Sequence, residues 1–390
     1  MYDLVKPIDR KGTNCFKWDS VLESYGTEDI IPMSVADMDF KEPECVTKAL
    51  HDYIDSSAFG YYQVNDSYFE AFIAWEEKYH GYKVEKDWIR FSPGVVPAIN
   101  WFVDFWTKEG DAIMVTTPVY YPFMHAVDNH GRKLIMCDLV NTDGVYTIDF
   151  GKFERMIEEE NVKMFILCSP HNPIGRVWTR GELTKISEIC AVHGVTLLSD
   201  EIHGDFVYEG EHVATAMCAP DPTKVVTLTS ASKTFNLAAL QNSFIIIPDE
   251  EMRKAYDGFC VRINNRSGNA FGYVAYEAAY RGGRAWLDEL KGIILENYRI
   301  LKETLTAEDL KVTVSPLEGT YLAWVDLGAY VDKDTVEDFL VKECGVGLDY
   351  GSWFGGDRFA GFARFNLATP TELVKKAAEN VAAAIRRLPR

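Results

Sequence analysis

Short apolar runs without polar alternation recur through the middle of the chain, separated by longer stretches with helical spacing. The runs are "DAIMVTT" (111–117), "KLIMCDL" (133–139), "VKMFILCS" (162–169), "VTLLSD" (195–200), "KVVTLTS" (224–230) and "NSFIIIP" (242–248). Unbroken apolar strands are expected where both faces of a sheet are covered. Helix-like segments lie between most of them, at Pro122 to His130, Phe153 to Glu160 and Arg180 to His193. This β-α-β order predicts a doubly wound α/β domain on a mostly parallel sheet, spanning about residues 46–285. Its functional edge is expected at the carboxyl ends of the strands.

The pattern then changes. "AWLDELKGIILENYRILKETL" (285–305) reads as one long amphipathic helix, and "KVTVSPLEGTYLAWVDL" (311–327) as two short strands. In the tail "TPTELVKKAAENVAAAIRRL" (369–388), Thr369 is the predicted N-cap, with Pro370 in the first turn and Glu372 closing a capping box. Leu373, Ala377, Val381, Ile385 and Leu388 keep one apolar face. Residues 286–390 therefore read as a small α+β domain. The loop-rich residues 1–45 are expected to pack against it.

Composition narrows the function class. The 390 residues are 47% apolar and 25% charged, with a formal net charge of −19. So acidic a surface repels nucleic acid and anionic membrane, and neither is expected as a partner. No apolar run is long enough to span a bilayer. The eight cysteines form no Cys-x-x-Cys pair, so buried thiols, no metal site and a cytoplasmic location are expected.

Candidate chemistry gathers at strand ends. Lys233 lies in "TLTSASKTFN", just past an apolar run and flanked by Ser230 and Ser232, an odd place for a residue that belongs in water. Asp200 ends "VTLLSD", Asn172 lies between prolines in "CSPHNPIGR", and Tyr120 follows another strand in "TTPVYYPF". Gly94, Val95 and Val96 open an apolar helix in "RFSPGVVPAINWF". Singly, Asn172 is a turn residue, Asp200 a helix cap, Tyr120 edge packing and Lys233 a snorkelling lysine. All of them fall on one edge of the predicted sheet, and pyridoxal 5'-phosphate accounts for all of them. Its aldehyde needs a lysine amine (Lys233), and its ring nitrogen a carboxylate (Asp200). Its ring face suits an aromatic side chain (Tyr120), and its phenolate an amide donor (Asn172). Its phosphate suits a helix N-terminus with nearby hydroxyls, at Gly94–Val96 with Ser230 and Ser232.

The ordered set "SxSKxxN", "HNPxGR", "SDEIH" and "GVVPAI" resembles fold-type I pyridoxal-phosphate enzymes of the aminotransferase class I/II superfamily. "SVADMDF", "FGY" (59–61) and "FARFNLATP" resemble its cystathionine β-lyase group, the MalY/PatB type. The likeness runs through nearly the whole chain. It implies the type I transferase fold, with a large sheet of the seven-stranded type. It also implies a homodimer, in which Tyr61 reaches the phosphate held by the neighbouring subunit and Arg364 binds the substrate α-carboxylate as a planar fork. His203 stands where many aminotransferases have tyrosine, and Gln241 where many have a phosphate-binding arginine. Both departures are similar to the C–S lyases. The expected activity is α,β-elimination from a sulfur-bearing amino acid, releasing pyruvate, ammonia and a thiol. An aminotransferase using the same residues is the alternative. A non-catalytic binding or regulatory protein on the same fold is the reading from another class.

Overall fold

The computed structural model describes residues 4–56, 58–265 and 267–388; the ends of the first and last predicted segments lie outside them. Seven strands make the large sheet: β1 (Ile89–Ser92), β2 (Ala112–Thr117), β3 (Lys133–Asp138), β4 (Met164–Cys168), β5 (Thr196–Asp200), β6 (Val225–Thr229) and β7 (Ser243–Ile246). Their order is β1-β7-β6-β5-β4-β2-β3. Strands β2 to β6 are mutually parallel, and β7 runs antiparallel to both β6 and β1.

All six apolar runs are strands. β1, with the sequence "IRFS", is additional. Four residues with an arginine carry little strand signal alone, and β1 pairs because β7 presents an open edge to it. Central strands β2, β4 and β7 are buried at every position, whereas edge strand β3 exposes Lys133 and Met136. Helices cover both faces. One core layer holds Phe102, Phe123 and Tyr256; the other holds Phe72, Phe153, Leu183 and Tyr276. Helix Arg180–Val192 starts with a reciprocal capping box between Thr179 and Glu182.

A second, antiparallel sheet contains β8 (Thr313–Val314), β9 (Leu322–Asp326), β10 (Asp349–Tyr350) and β11 (Phe362–Asn366), in the order β8-β9-β11-β10. Helices Arg284–Leu305 and Thr371–Arg387 accompany it. The last helix departs from expectation. Its N-cap is Pro370, and no side chain caps it. Thr369 instead donates a 2.7 Å hydrogen bond to Asp39 Oδ2. That bond ties the Thr369 side chain to the N-terminal segment, and its hydroxyl does not cap the helix.

Asp39 is the anchor of the N-terminal segment. It is buried and also receives Lys17 Nζ at 2.6 Å and Trp18 Nε1 at 2.8 Å. Ile31–Pro32 pairs in parallel with Val346–Gly347. The Asn366 side-chain amide donates to the carbonyls of Val35 and Asp37. Asn236, three residues after Lys233, exchanges hydrogen bonds with the Met38 backbone in both directions. The segment 35–38 is thus pinned between the small sheet and the loop after β6.

Candidate active site

The loops after β2, β4, β5 and β6 converge at the carboxyl edge of the large sheet. There they line an inner cavity of about 210 Å³ and an outer one of about 470 Å³. Lys233, Tyr120 and Ala36 line both. Lys233 rides on the short helix Ala231–Thr234, whose N-cap Ser230 accepts from the Ser232 amide. Its Nζ donates to the Ala36 carbonyl at 2.6 Å. Burial, with Arg364 adding repulsion, pushes the amine down to about 8, against the pull of Asp37 and Asp200.

Asp200 closes β5, and its Oδ1 accepts from the Ile202 amide at 3.0 Å. Burial raises its carboxyl to about 7; the Ile202 bond and Lys233 oppose that rise. Asn172 receives Arg364 Nη1 on Oδ1 at 3.1 Å, and its carbonyl accepts from the Tyr120 amide at 3.1 Å. His203 is buried with Nδ1 unpartnered among the described residues. Burial, Lys233 and Arg364 together hold its imidazole neutral. Gly94 caps the helix Val95–Trp106, whose first turn faces the inner cavity.

The structure therefore brings Gly94, Val95, Val96, Tyr120, Asn172, Asp200, His203, Ser232 and Lys233 around the inner cavity. Ser230 lies behind it: its hydroxyl donates to the Asn242 carbonyl at 2.7 Å and lies 2.9 Å from Tyr276 Oη. Tyr61 lies in neither cavity, with a fully exposed side chain. Arg364, on β11, lines the outer cavity. It is 2% exposed, donates through Nη2 to the Ser34 carbonyl at 2.9 Å, and forms an ion pair with Asp349.

Three groups escaped the sequence reading. The Ala36 carbonyl is backbone, which side-chain identity does not reveal. Asp349 lies fifteen positions before Arg364 on β10, and only their cross-strand register brings them together. Asn242 opens the run "NSFIIIP" and reads as a strand start, yet it lines the inner cavity, and its Nδ2 has no partner among the described residues. Its position directly after Gln241, which stands where many aminotransferases have arginine, is the one local signal.

These groups fit pyridoxal phosphate. The inner cavity offers a partly buried amine of lowered basicity, a buried carboxylate, an aromatic face, and an orphan amide donor beside a helix N-terminus. Among the described residues no cluster of histidine, cysteine or acidic side chains is arranged to hold a metal ion.

Residues 28–381 match the model of the family described as aminotransferase class I and II. The cystathionine beta-lyase PatB of Bacillus subtilis is 39% identical, over 97% of this chain and 99% of that protein. The protein MalY of Escherichia coli is 31% identical, over 99% of each. Among solved structures, cystalysin of Treponema denticola, which contains a pyridoxal 5'-phosphate cofactor, superposes with a TM-score of 0.94 at 36% identity. It covers 99% of both chains.

Proposed function

This chain belongs to the aminotransferase class I and II family, and from that premise we propose that it is a pyridoxal-phosphate-dependent carbon–sulfur β-lyase. The observation that carries the cofactor chemistry is the placement of Lys233 between the two cavities, with Asp200 at the inner one and Arg364 at the outer one; elimination over transamination is favoured by the 39% identity to a cystathionine beta-lyase.

In this reading the residues divide the work. Lys233 would hold the aldehyde carbon of the cofactor, Asp200 its ring nitrogen, Asn172 its phenolic oxygen and Tyr120 its ring face. The first turn at Gly94–Val96, with Ser232 and Asn242, would hold its phosphate. When bound, the cofactor supplies an electron sink for negative charge at the substrate α-carbon. Arg364 clamps the α-carboxylate, which fixes the direction of the Cα–H bond relative to Lys233. Once the substrate's amino group has displaced it from the cofactor, the Lys233 amine, lowered to about 8, would take that proton as general base. Loss of a thiolate from the β-carbon completes the elimination; water then releases pyruvate and ammonia. Neutral His203 adds no charge that would compete with Asp200.

The dimer belongs to this proposal. Tyr61 and Phe59 are exposed, and Phe59 packs against Tyr53 and Phe271 in an aromatic surface cluster. Such a patch suits a second copy of the chain, whose phosphate site Tyr61 would then reach. No helix among the described residues is long and apolar enough to cross a membrane, and we place the enzyme in the cytoplasm.

The test is pyruvate release from cystathionine or cystine with no keto-acid acceptor present. Release at catalytic rates supports the lyase. Strict dependence on 2-oxoglutarate makes the protein an aminotransferase instead, because the same Lys233, Asp200 and Arg364 serve both reactions.

A further inference from the structure

The proposed chemistry uses none of the charged groups packed behind the helix that carries Lys233. The side chains of Glu76, His80 and Asp205 are each at most 9% exposed. Glu76 and His80 begin and end a wide five-residue helical turn, which lays His80 Nδ1 3.0 Å from Glu76 Oε2. His80 Nε2 lies 3.2 Å from Asp205 Oδ1, and Trp75 Nε1 donates to the same oxygen at 2.9 Å. Asp205 Oδ2 receives the Thr234 hydroxyl at 2.6 Å. Thr234 directly follows Lys233. A second pair, His212 with Glu201 at 3.1 Å, lies against the first. The two imidazoles meet edge-on at 5.0 Å, and Glu201 directly follows Asp200. Lys291, on the helix Arg284–Leu305, also lies within electrostatic reach of Asp205.

From this arrangement we infer that His80 and Asp205 are positioning residues for Lys233, acting through the Thr234 hydroxyl. The helix Ala231–Thr234 is a single turn, too short to hold its shape alone. The Lys233 amine has to move during turnover, so its own bond to the Ala36 carbonyl does not fix the backbone. Asp205 fixes the chain one residue further on, and Phe235 beyond it packs edge-on against Trp75 at 5.6 Å. Burying carboxylates with an imidazole is a poor route to stability, since apolar residues of the same volume commonly serve as well or better. What the charges add is a short, directed bond to one place. Burial opposes the charge on His80, but Glu76 and Asp205 outweigh it and keep the imidazole protonated well above its ordinary range. Burial likewise opposes the charge on Asp205, and the bonds from His80, Thr234 and Trp75 hold its carboxyl below the usual range. Thr234 therefore meets a full carboxylate.

This inference rests on Lys233 being the cofactor lysine and holds for elimination and transamination alike. Thr234→Val removes the hydroxyl at nearly constant volume, Thr234→Ser returns it, and His80→Gln keeps hydrogen-bonding groups without the charge. In Thr234→Val and His80→Gln, kcat for pyruvate release should fall roughly tenfold or more, with KM within about twofold of wild type, because Arg364 is untouched. Thr234→Ser should recover most of the lost rate. A second readout needs no turnover: acetylation of Lys233 by acetic anhydride in the cofactor-free protein, followed by mass spectrometry across pH. In Thr234→Val and His80→Gln the midpoint should rise toward the ordinary lysine value, and labelling at pH 8 should slow severalfold. A merely structural role would lower the melting temperature without moving that midpoint. Coupling between the pair and the lysine is reciprocal, so the ¹⁵N resonances of His80 in wild type should shift on cofactor loading. Wild-type kcat with an unmoved midpoint in Thr234→Val overturns the inference, as does failure of Thr234→Ser to recover the rate. Unmoved His80 resonances overturn it whether or not the variants fold. No pyruvate from wild type, with the midpoints shifted as expected, overturns the lyase reading and leaves the positioning pair standing.

Discussion

Lys233 Nζ donates a 2.6 Å hydrogen bond to the carbonyl oxygen of Ala36, 197 positions earlier in the chain. The Tyr321 hydroxyl donates to the same oxygen at 2.9 Å. The two donors hold the N-terminal segment over the lysine, and Asn236 fixes the next turn of that segment through the Met38 backbone. The amine is thereby shielded from water on one side while facing two cavities on the other. That shielding is the physical source of its lowered basicity.

Replacing Lys233 with Ala should abolish both pyruvate release and the visible absorbance of cofactor-loaded protein. Absorption spectra of cofactor-loaded protein before and after dialysis against cofactor-free buffer check this. Retained absorbance that survives dialysis would assign the attachment to another side chain.

Asp200→Asn should change how stability depends on pH in the cofactor-free protein. Burial lifts the Asp200 carboxyl from the ordinary 3.8 to about 7 in the folded chain, which therefore binds its proton more tightly than the unfolded chain does. Its contribution is fully present below about pH 4 and is lost as pH rises through about 7. Relative to wild type, the Asn variant should therefore gain about 4 kcal/mol between pH 4 and 8. Chemical denaturation at a series of pH values measures that difference. Activity should fall at every pH.

Arg364→Lys should raise KM by at least about tenfold, because an ammonium cannot form the planar fork. A second effect follows from the structure. Arg364 also satisfies Asn172, the Ser34 carbonyl and Asp349, and one lysine head cannot reach all three. The melting temperature should fall as well, which scanning calorimetry records.

Asn242→Ala should weaken cofactor retention several-fold if its orphan amide meets the phosphate, with roughly 1 kcal/mol lost. Absorbance titration with pyridoxal phosphate reads this directly. Tyr68→Phe is the control, since the Tyr68 hydroxyl donates to Asn242 Oδ1 and leaves the amide nitrogen free. That variant should retain cofactor much as wild type does.

Tyr61→Ala and Lys233→Ala chains should complement one another when refolded together. In a mixed pair one site receives Tyr61 from the partner and Lys233 from its own chain. With random pairing, about a quarter of wild-type activity should return. Recovery of none would place Tyr61 outside the neighbouring site.

Much of this molecule was legible in its residue pattern, for a definite reason. The six apolar runs are strands because a sheet covered on both faces demands continuous burial, and continuous burial is a property of local sequence. Lys233, Asp200, Asn172 and Tyr120 stood out because each sits just past such a run, where the chain leaves the sheet and side chains can face a ligand. β1 carries no local signal, and the cap of the last helix differs from the local pattern. β1 forms only against β7, and Thr369 is drawn away by Asp39, 330 positions distant.

The chain's own order of residues determined the alternation of strands and helices and which titratable side chains would meet at one edge, because burial periodicity and strand ends are written locally. The tertiary structure alone decided that Ala36 caps Lys233, that Asp349 shares Arg364, and that Asn242 keeps an amide without a partner among the described residues. Each of these depends on chain segments far apart in sequence approaching within hydrogen-bond distance, or failing to, and no local pattern encodes that distance.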